Sequence, residues 1–168
     1  AGMGFGRVVH VPAFRAAGCR VEAVCASTEA RARAAAQALR IPRAYGSWEA
    51  LVEDPGLDAV SLALPPDLQQ EAALAALRRG KAVFCEKPLA LRSCEARRLA
   101  AEALKSGLAN VVDFEFPELR TFRRAKVLLT EGALGRLASV RITWKVLTRA
   151  NRLGLASWKT RPERGGGV

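Results

Sequence analysis

The sequence predicts an α/β fold: a doubly wound parallel sheet lacking its first strand, then the beginning of an α+β domain with an open, mainly antiparallel sheet. Three observations predict it. Short apolar runs alternate with longer, alanine-rich helical runs, the pattern of successive βα units. A glycine-rich turn, Gly2-Met3-Gly4-Phe5-Gly6, opens a helix near the start of the chain. After Phe116 the buried-strand pattern gives way to strict alternation, which belongs to a half-exposed sheet.

In chain order, the first helix runs through Val8, Val9 and Phe14 to Gly18, with Pro12 kinking or restarting it. His10 lies on it with no acid nearby in sequence, so a packed or capping role is the default. Val21–Ala26 reads as a strand, and Ser27 and Thr28 can cap the helix that follows to Leu39. Arg43-Ala44-Tyr45 is a short extended segment leading into a helix around Trp48–Val52. Asp58–Leu64 is almost wholly apolar, as strands covered on both faces are. Pro65-Pro66-Asp67 break it and cap a helix to Arg79, which Gly80 stops. Ala82–Cys85 is the next strand, followed by a helix over Ser93–Ser106 and a strand over Ala109–Phe116. Residues 1–116 thus form one unit. A second begins at 117: a helix from Pro117 to Thr130, then Leu137–Leu147. There Val140, Ile142, Trp144 and Val146 share one face of a predicted strand. The chain is expected to be a fragment, with this second unit (117–168) incomplete.

Composition narrows the function. Half of the 168 residues are hydrophobic, enough for a core. No apolar run approaches the roughly 20 residues of a membrane helix, and no signal peptide opens the chain, so no membrane partner is expected. Cys19, Cys25, Cys85 and Cys94 lack paired metal spacing, and no metal is expected. Cys25 and Cys85 read as small core residues in a reducing compartment, hence a cytoplasmic location. The net charge of +11 could signal nucleic acid or an anionic ligand. Its arginines (Arg31, Arg33, Arg78, Arg79, Arg97, Arg98, Arg123, Arg124) are scattered over helix faces with few interleaved aromatics, so no nucleic-acid partner is expected.

Two stretches carry candidate chemistry. In a dinucleotide fold, glycines such as Gly2, Gly4 and Gly6 let the backbone approach a pyrophosphate, and the helix N-terminus offers it free N–H donors. About 20 residues on, where an NAD-binding fold places a ribose-binding acid, stand Ser27 and Thr28 with Arg31 close by. Small hydroxyls and an arginine suit a 2′-phosphate, which favours NADP over NAD; a plain N-cap explains Ser27 and Thr28 equally well. The second stretch is Glu86-Lys87-Pro88, where an apolar strand ends in an acid, a base and a proline. Ligands sit beyond the carboxyl ends of such strands. Read alone, the triplet is better explained as a solvated Lys-Pro turn.

Together with His10-Val11-Pro12-Ala13, Leu57-Asp58-Ala59-Val60, Pro65, Gly80-Lys81-Ala82-Val83, Glu131-Gly132-Ala133-Leu134-Gly135 and the triple glycine Gly165–Gly167, these stretches resemble the Gfo/Idh/MocA family of NAD(P)-dependent oxidoreductases. The resemblance reverses the reading of the triplet. It implies an N-terminal Rossmann domain and a substrate domain whose sheet packs against another subunit, hence a homo-oligomer of the full-length protein. It implies hydride transfer between NADP(H) or NAD(H) and a hydroxyl or carbonyl of a small sugar- or polyol-like substrate. Gly2, Gly4, Phe5 and Gly6 would hold the pyrophosphate, and Leu64, Pro65 and Pro66 would lie beside the nicotinamide ribose. Glu86, Lys87 and Pro88 would reach the nicotinamide, with Lys87 catalytic. Trp158 and Lys159 would also reach the cofactor. The chain departs from the family pattern in that Arg7 replaces the third glycine of the turn, Gln69, kept in the cofactor site, replaces a common histidine, and the ribose-binding acid is absent. The family's aspartate and histidine of the acid–base site are expected beyond the triple glycine. An alternative of another class is a non-catalytic dinucleotide-binding or regulatory protein of the same fold.

Overall fold

The computed structural model describes residues 1–147, 152–155, 158–164 and 166. Five short strands carry the fold: β1 Ala23–Cys25, β2 Arg43–Tyr45, β3 Ala59–Leu62, β4 Ala82–Cys85 and β5 Asn110–Val112. All pairings are parallel: β1 with β2, β3 with β4, and β4 with β5. Between β1 and β3, among the described residues, stand only Ala1 and Gly2. The Ala1 amine donates to the Ser61 carbonyl at 2.5 Å. The Ala1 carbonyl accepts from Ala63 N–H at 2.9 Å, and Gly2 N–H donates to the Cys25 carbonyl at 3.2 Å. These two residues bridge the ends of β1 and β3. A cavity of about 260 Å³ adjoins them, lined among others by Val24, Val60, Val83 and Phe14.

The helices pack on both faces of this layer. A five-residue π-type turn, Gly6–His10, runs straight into α1, Val11–Ala16. Pro12 accounts for the wide turn, because it has no N–H for an ordinary helical bond to Val8. The Val11 N–H bonds instead to the Gly6 carbonyl, one residue farther back than in an α-helix. α1 ends as expected: Gly18 adopts φ +82°, and Cys19 N–H reaches back to the Phe14 carbonyl at 2.9 Å. The others are α2 Glu29–Leu39, α3 Trp48–Glu53, α4 Pro66–Arg78, α5 Ser93–Ser106 and α6 Arg120–Thr130.

Two cores follow from the period-2 alternation of strand side chains. One joins Cys25, Val60, Leu62, Val83 and Cys85 to Leu51 and Val52 of α3, Leu74 and Leu77 of α4, and Leu99 of α5. The other joins Val24 to Val11 of α1 and Ala35 and Ala36 of α2. Adjacent residues of β1 thus enter opposite cores, which makes the sheet doubly wound. Burying a leucine such as Leu62 contributes roughly 1.5–3 kcal/mol.

Three expectations need correction. β3 was read as covered on both faces; Val60 and Leu62 are buried, but Ala59 is exposed and Ser61 only half-buried. On that second face His10 meets Ser61 and Phe14 meets Phe84. The predicted helix from Pro117 is broken: a 3-10 turn over Phe116–Glu118, then extended Leu119 (ψ 136°), precedes α6. Leu137–Leu147 forms no ladder among the described residues, and Ile142 and Trp144 are 76% and 70% exposed. Its alternation marks a face built to be covered, but a strand needs a neighbour for its N–H and C=O groups.

The eight arginines above are all exposed. Cys25 and Cys85 are buried, while Cys19 and Cys94 are exposed. Burial pushes the Cys85 thiol up to about 12, which makes it inert. Among the described residues, no helix is long and apolar enough to cross a membrane.

Candidate active site

The carboxyl ends of β1, β3 and β4 converge on the glycine turn. Gly2 has φ +94°, and a Cβ there would lie 2.2 Å from the Ala63 carbonyl oxygen. No other residue type fits, because both the backbone conformation and the close approach to Ala63 exclude a side chain. A Cβ at Gly4 would meet nothing within 4 Å, and Phe5 is exposed. The turn is therefore anchored at Gly2 and open at Gly4, as backbone that receives a phosphate must be. Arg7, in place of the third glycine, is exposed and leaves this geometry intact.

At the end of β1, Thr28 caps α2 by accepting from Arg31 N–H at 3.3 Å. The Arg31 guanidinium folds back onto Ser27 Oγ at 3.1 Å. Ser27, Thr28 and Arg31 are thus gathered at one exposed strand end, which the Gly2–Cys25 hydrogen bond ties to the glycine turn.

Beyond β4 the chain is held from two sides. Gln69 on α4 is 1% exposed. Its oxygen accepts from Leu64 N–H at 3.3 Å, and its nitrogen donates to the carbonyls of Glu86 and, at 2.9 Å, Pro88. It therefore staples the end of β3 to the Glu86-Lys87-Pro88 turn. The Glu86 carboxylate accepts from Lys87 backbone N–H at 3.2 Å through Oε2 and from His10 Nε2 at 3.2 Å through Oε1. The Lys87 side chain is exposed, with no hydrogen-bond partner among the described residues. Hydrogen bonds thus hold the turn while its ammonium stays open to a ligand.

This combination, an open glycine turn beside a fixed lysine at the next-but-one strand end, fits a dinucleotide fold. The sequence profile of the Gfo/Idh/MocA oxidoreductase family, with its NAD-binding Rossmann fold, matches residues 1–114. The chain belongs to this family. It is 34% identical over 168 residues to an uncharacterized oxidoreductase of Synechocystis, covering 99% of this chain and 45% of that protein. It is 39% identical over 139 residues to D-xylose 1-dehydrogenase (NADP(+)) 2 of Haloferax volcanii, covering 82% and 42%. Among solved structures, levoglucosan dehydrogenase in complex with NADH and levoglucosan superposes with a TM-score of 0.74 at 26% identity, covering 80% of this chain and 39% of that one. The chain spans less than half the length of these Gfo/Idh/MocA relatives.

The remaining family-implied residues fall in different places. Leu64 and Pro65 lead from β3 into α4, where Pro66 occupies the first turn. Trp158 and Lys159 form a short 3-10 turn, with Lys159 Nζ 5.8 Å from the indole centroid. Arg164 links this region to α4 through Asp67 Oδ2 at 2.8 Å. Of the triple glycine, Gly165 and Gly167 lie outside the described residues.

Sequence reading missed the group around His10. This imidazole is buried (5% exposed), with Nδ1 2.7 Å from Ser61 Oγ and Nε2 3.6 Å from Asp113 Oδ2. Nothing local could reveal it, since Glu86 stands 76 residues away. The His10, Glu86 and Asp113 ligand atoms lie within 4.8 Å of one another, a spacing compatible with a metal ion. A ring N–H between two carboxylates accounts for the same arrangement.

Proposed function

We propose that the full-length protein is an NAD(P)-dependent oxidoreductase that interconverts a hydroxyl and a carbonyl on a sugar- or polyol-like substrate. Lys87 is its acid–base or polarising group. The observation that carries this reading is the exposed Lys87 ammonium on a turn pinned by Gln69 and Glu86. Family membership supports the oxidoreductase class, and the names of the xylose and levoglucosan dehydrogenases support the substrate class. Gly2, Gly4, Phe5 and Gly6 would hold the pyrophosphate, and Leu64, Pro65, Pro66 and the Glu86–Pro88 turn would border the nicotinamide. Trp158 and Lys159 would reach the cofactor. Ser27, Thr28 and Arg31 favour NADP(H) over NAD(H), because only a 2′-phosphate gives the arginine a charged partner.

When bound, the nicotinamide accepts or donates the hydride. Lys87 handles the proton. As an amine it takes the hydroxyl proton while the C–H bond pair leaves as hydride. In the reverse direction its ammonium protonates the carbonyl oxygen as hydride arrives at carbon. Gln69 and Glu86 act on the backbone, holding the lysine where its reach is set by its own side chain.

The test is Lys87→Ala in the full-length protein. Turnover should fall by about 10²–10⁴, while NADPH affinity measured by calorimetry changes only a few-fold. Unchanged turnover removes Lys87 from the mechanism. NADPH binding by the wild type with no turnover across a panel of sugars and polyols would instead favour a non-catalytic dinucleotide-binding role.

A further inference from the structure

His10 belongs to no part of the mechanism above, yet it is buried beside the Lys87 turn with polar partners on both ring nitrogens. Its ring is packed edge-on by three aromatic rings, Phe5, Phe14 and Phe84, at centroid distances of 5.4, 6.2 and 5.3 Å. Water is largely excluded, so its polar atoms must find partners within the protein. Nε2 faces two acceptors, Glu86 Oε1 and Asp113 Oδ2. An unprotonated nitrogen there would meet two carboxylates lone pair to lone pair, so Nε2 carries the hydrogen. Nδ1 faces the Ser61 hydroxyl, which can either donate or accept. One geometry therefore suits both the neutral ring and the imidazolium.

The consequence lies in the second oxygen of Glu86. Oε1 is held by His10, and Oε2 accepts the backbone N–H of Lys87. A continuous path runs from Ser61 on β3 through His10 and Glu86 to the backbone of Lys87, and Asp113 beyond β5 supports the ring from the other strand. His10 ends the turn whose first residue is Gly6, so the same ring is rigidly connected to the glycine turn.

We propose that His10 is a positioning residue: it locks the Glu86 carboxylate onto the Lys87 backbone and so fixes the lysine turn against the helix that begins at the glycine turn. The inference rests on the proposed role of Lys87 for its kinetic consequence, though the link itself does not.

A double-mutant cycle in the full-length protein tests it. His10→Leu should lower kcat about ten-fold with the NADPH Kd within about two-fold. His10→Gln, whose amide N–H still reaches Glu86, should recover to within about three-fold of wild type. Glu86→Gln should match His10→Leu, and the double variant should be no worse than the poorer single. Losses that multiply, or His10→Gln as impaired as His10→Leu, overturn the proposal. Where His10→Leu does not fold, Ser61→Ala replaces it in the cycle, removing the partner on the other ring nitrogen.

A second readout is independent of activity. Imidazole nitrogen NMR, with His10 signals identified as those lost in His10→Gln, should show a proton on Nε2 that shifts in Glu86→Gln and in Asp113→Asn. An Nε2 without a proton, a signal blind to Glu86→Gln, or one altered by dialysis against a metal chelator overturns the proposal. If the signal responds while Lys87→Ala keeps full turnover, the link stands and only the catalytic reading falls.

Discussion

At the scale of single residues, cofactor choice turns on Arg31. Its guanidinium rests on Ser27 Oγ at 3.1 Å, beside the Thr28 cap, on an exposed face with no carboxylate holding it among the described residues. An anionic 2′-phosphate would displace a neutral hydroxyl there, because a charge-assisted hydrogen bond is about twice as strong as a neutral one. Calorimetry should show NADPH binding tighter than NADH, and Arg31→Ala should weaken NADPH about ten-fold while leaving NADH unchanged, a difference of about 1.4 kcal/mol. Equal losses for both cofactors would move Arg31 out of the ribose site. The residue types were legible in sequence. So was a cap at Ser27 or Thr28, but Arg31 as a latch on Ser27 was not, because it depends on how the guanidinium folds back over the start of α2.

At the scale of elements, the joint between β2, α3 and β4 depends on Asp54. Its carboxylate accepts from Arg43 at 2.8 Å, from Tyr45 Oη at 2.7 Å and from Gly56 N–H at 2.9 Å. Buried Lys81 completes the joint, donating to the Asp54 and Leu57 carbonyls at 2.6 and 2.8 Å. Burial alone would raise the Asp54 carboxyl, but the Tyr45 and Gly56 hydrogen bonds and the charges of Arg43 and Lys81 hold it below its ordinary value. A folded-state carboxyl depressed in this way adds stability above its unfolded value of about 4 and loses it as pH falls through the folded value. Tyr45 is raised, first by burial and then by Asp54, so its contribution holds below about 10 and fades above. Asp54→Asn should lower stability by roughly 1–3 kcal/mol at neutral pH. It should also flatten the decline below about pH 4, as measured by urea unfolding across pH. An unaltered acid limb would show that other carboxylates control acid unfolding.

At the scale of the whole molecule, both hydrophobic cores are built from residues that precede Phe116. No residue of α6 is buried, and Val140, Ile142, Trp144 and Val146 all face solvent. We therefore keep the boundary at 116/117 as a proposal. Residues 1–116 alone should unfold in urea with a midpoint within roughly 0.3 M of the 168-residue chain and with a similar m-value, since m follows the surface buried. A midpoint lower by more than about 1 M would mean that residues 117–168, through contacts such as Arg164 with Asp67, stabilise the first unit.

The sequence by itself determined the βα alternation, the glycine turn, the cap at Thr28, the stops at Gly18 and Gly80, and the lysine at the end of β4. All of these are local: backbone conformation, capping and periodicity act over a few residues and leave their mark in consecutive letters. Tertiary structure alone decided the rest. Gln69 stands where the family has a histidine, and only the packing of α4 against β4 turned it into a staple for the lysine turn. His10 had no acid nearby in sequence, and only the parallel pairing of β3, β4 and β5 carried Ser61, Glu86 and Asp113 to its ring. Leu137–Leu147 carried a strand's alternation without forming a strand among the described residues. Side-chain pattern is written in the chain, whereas a ladder exists only where another strand offers its hydrogen bonds.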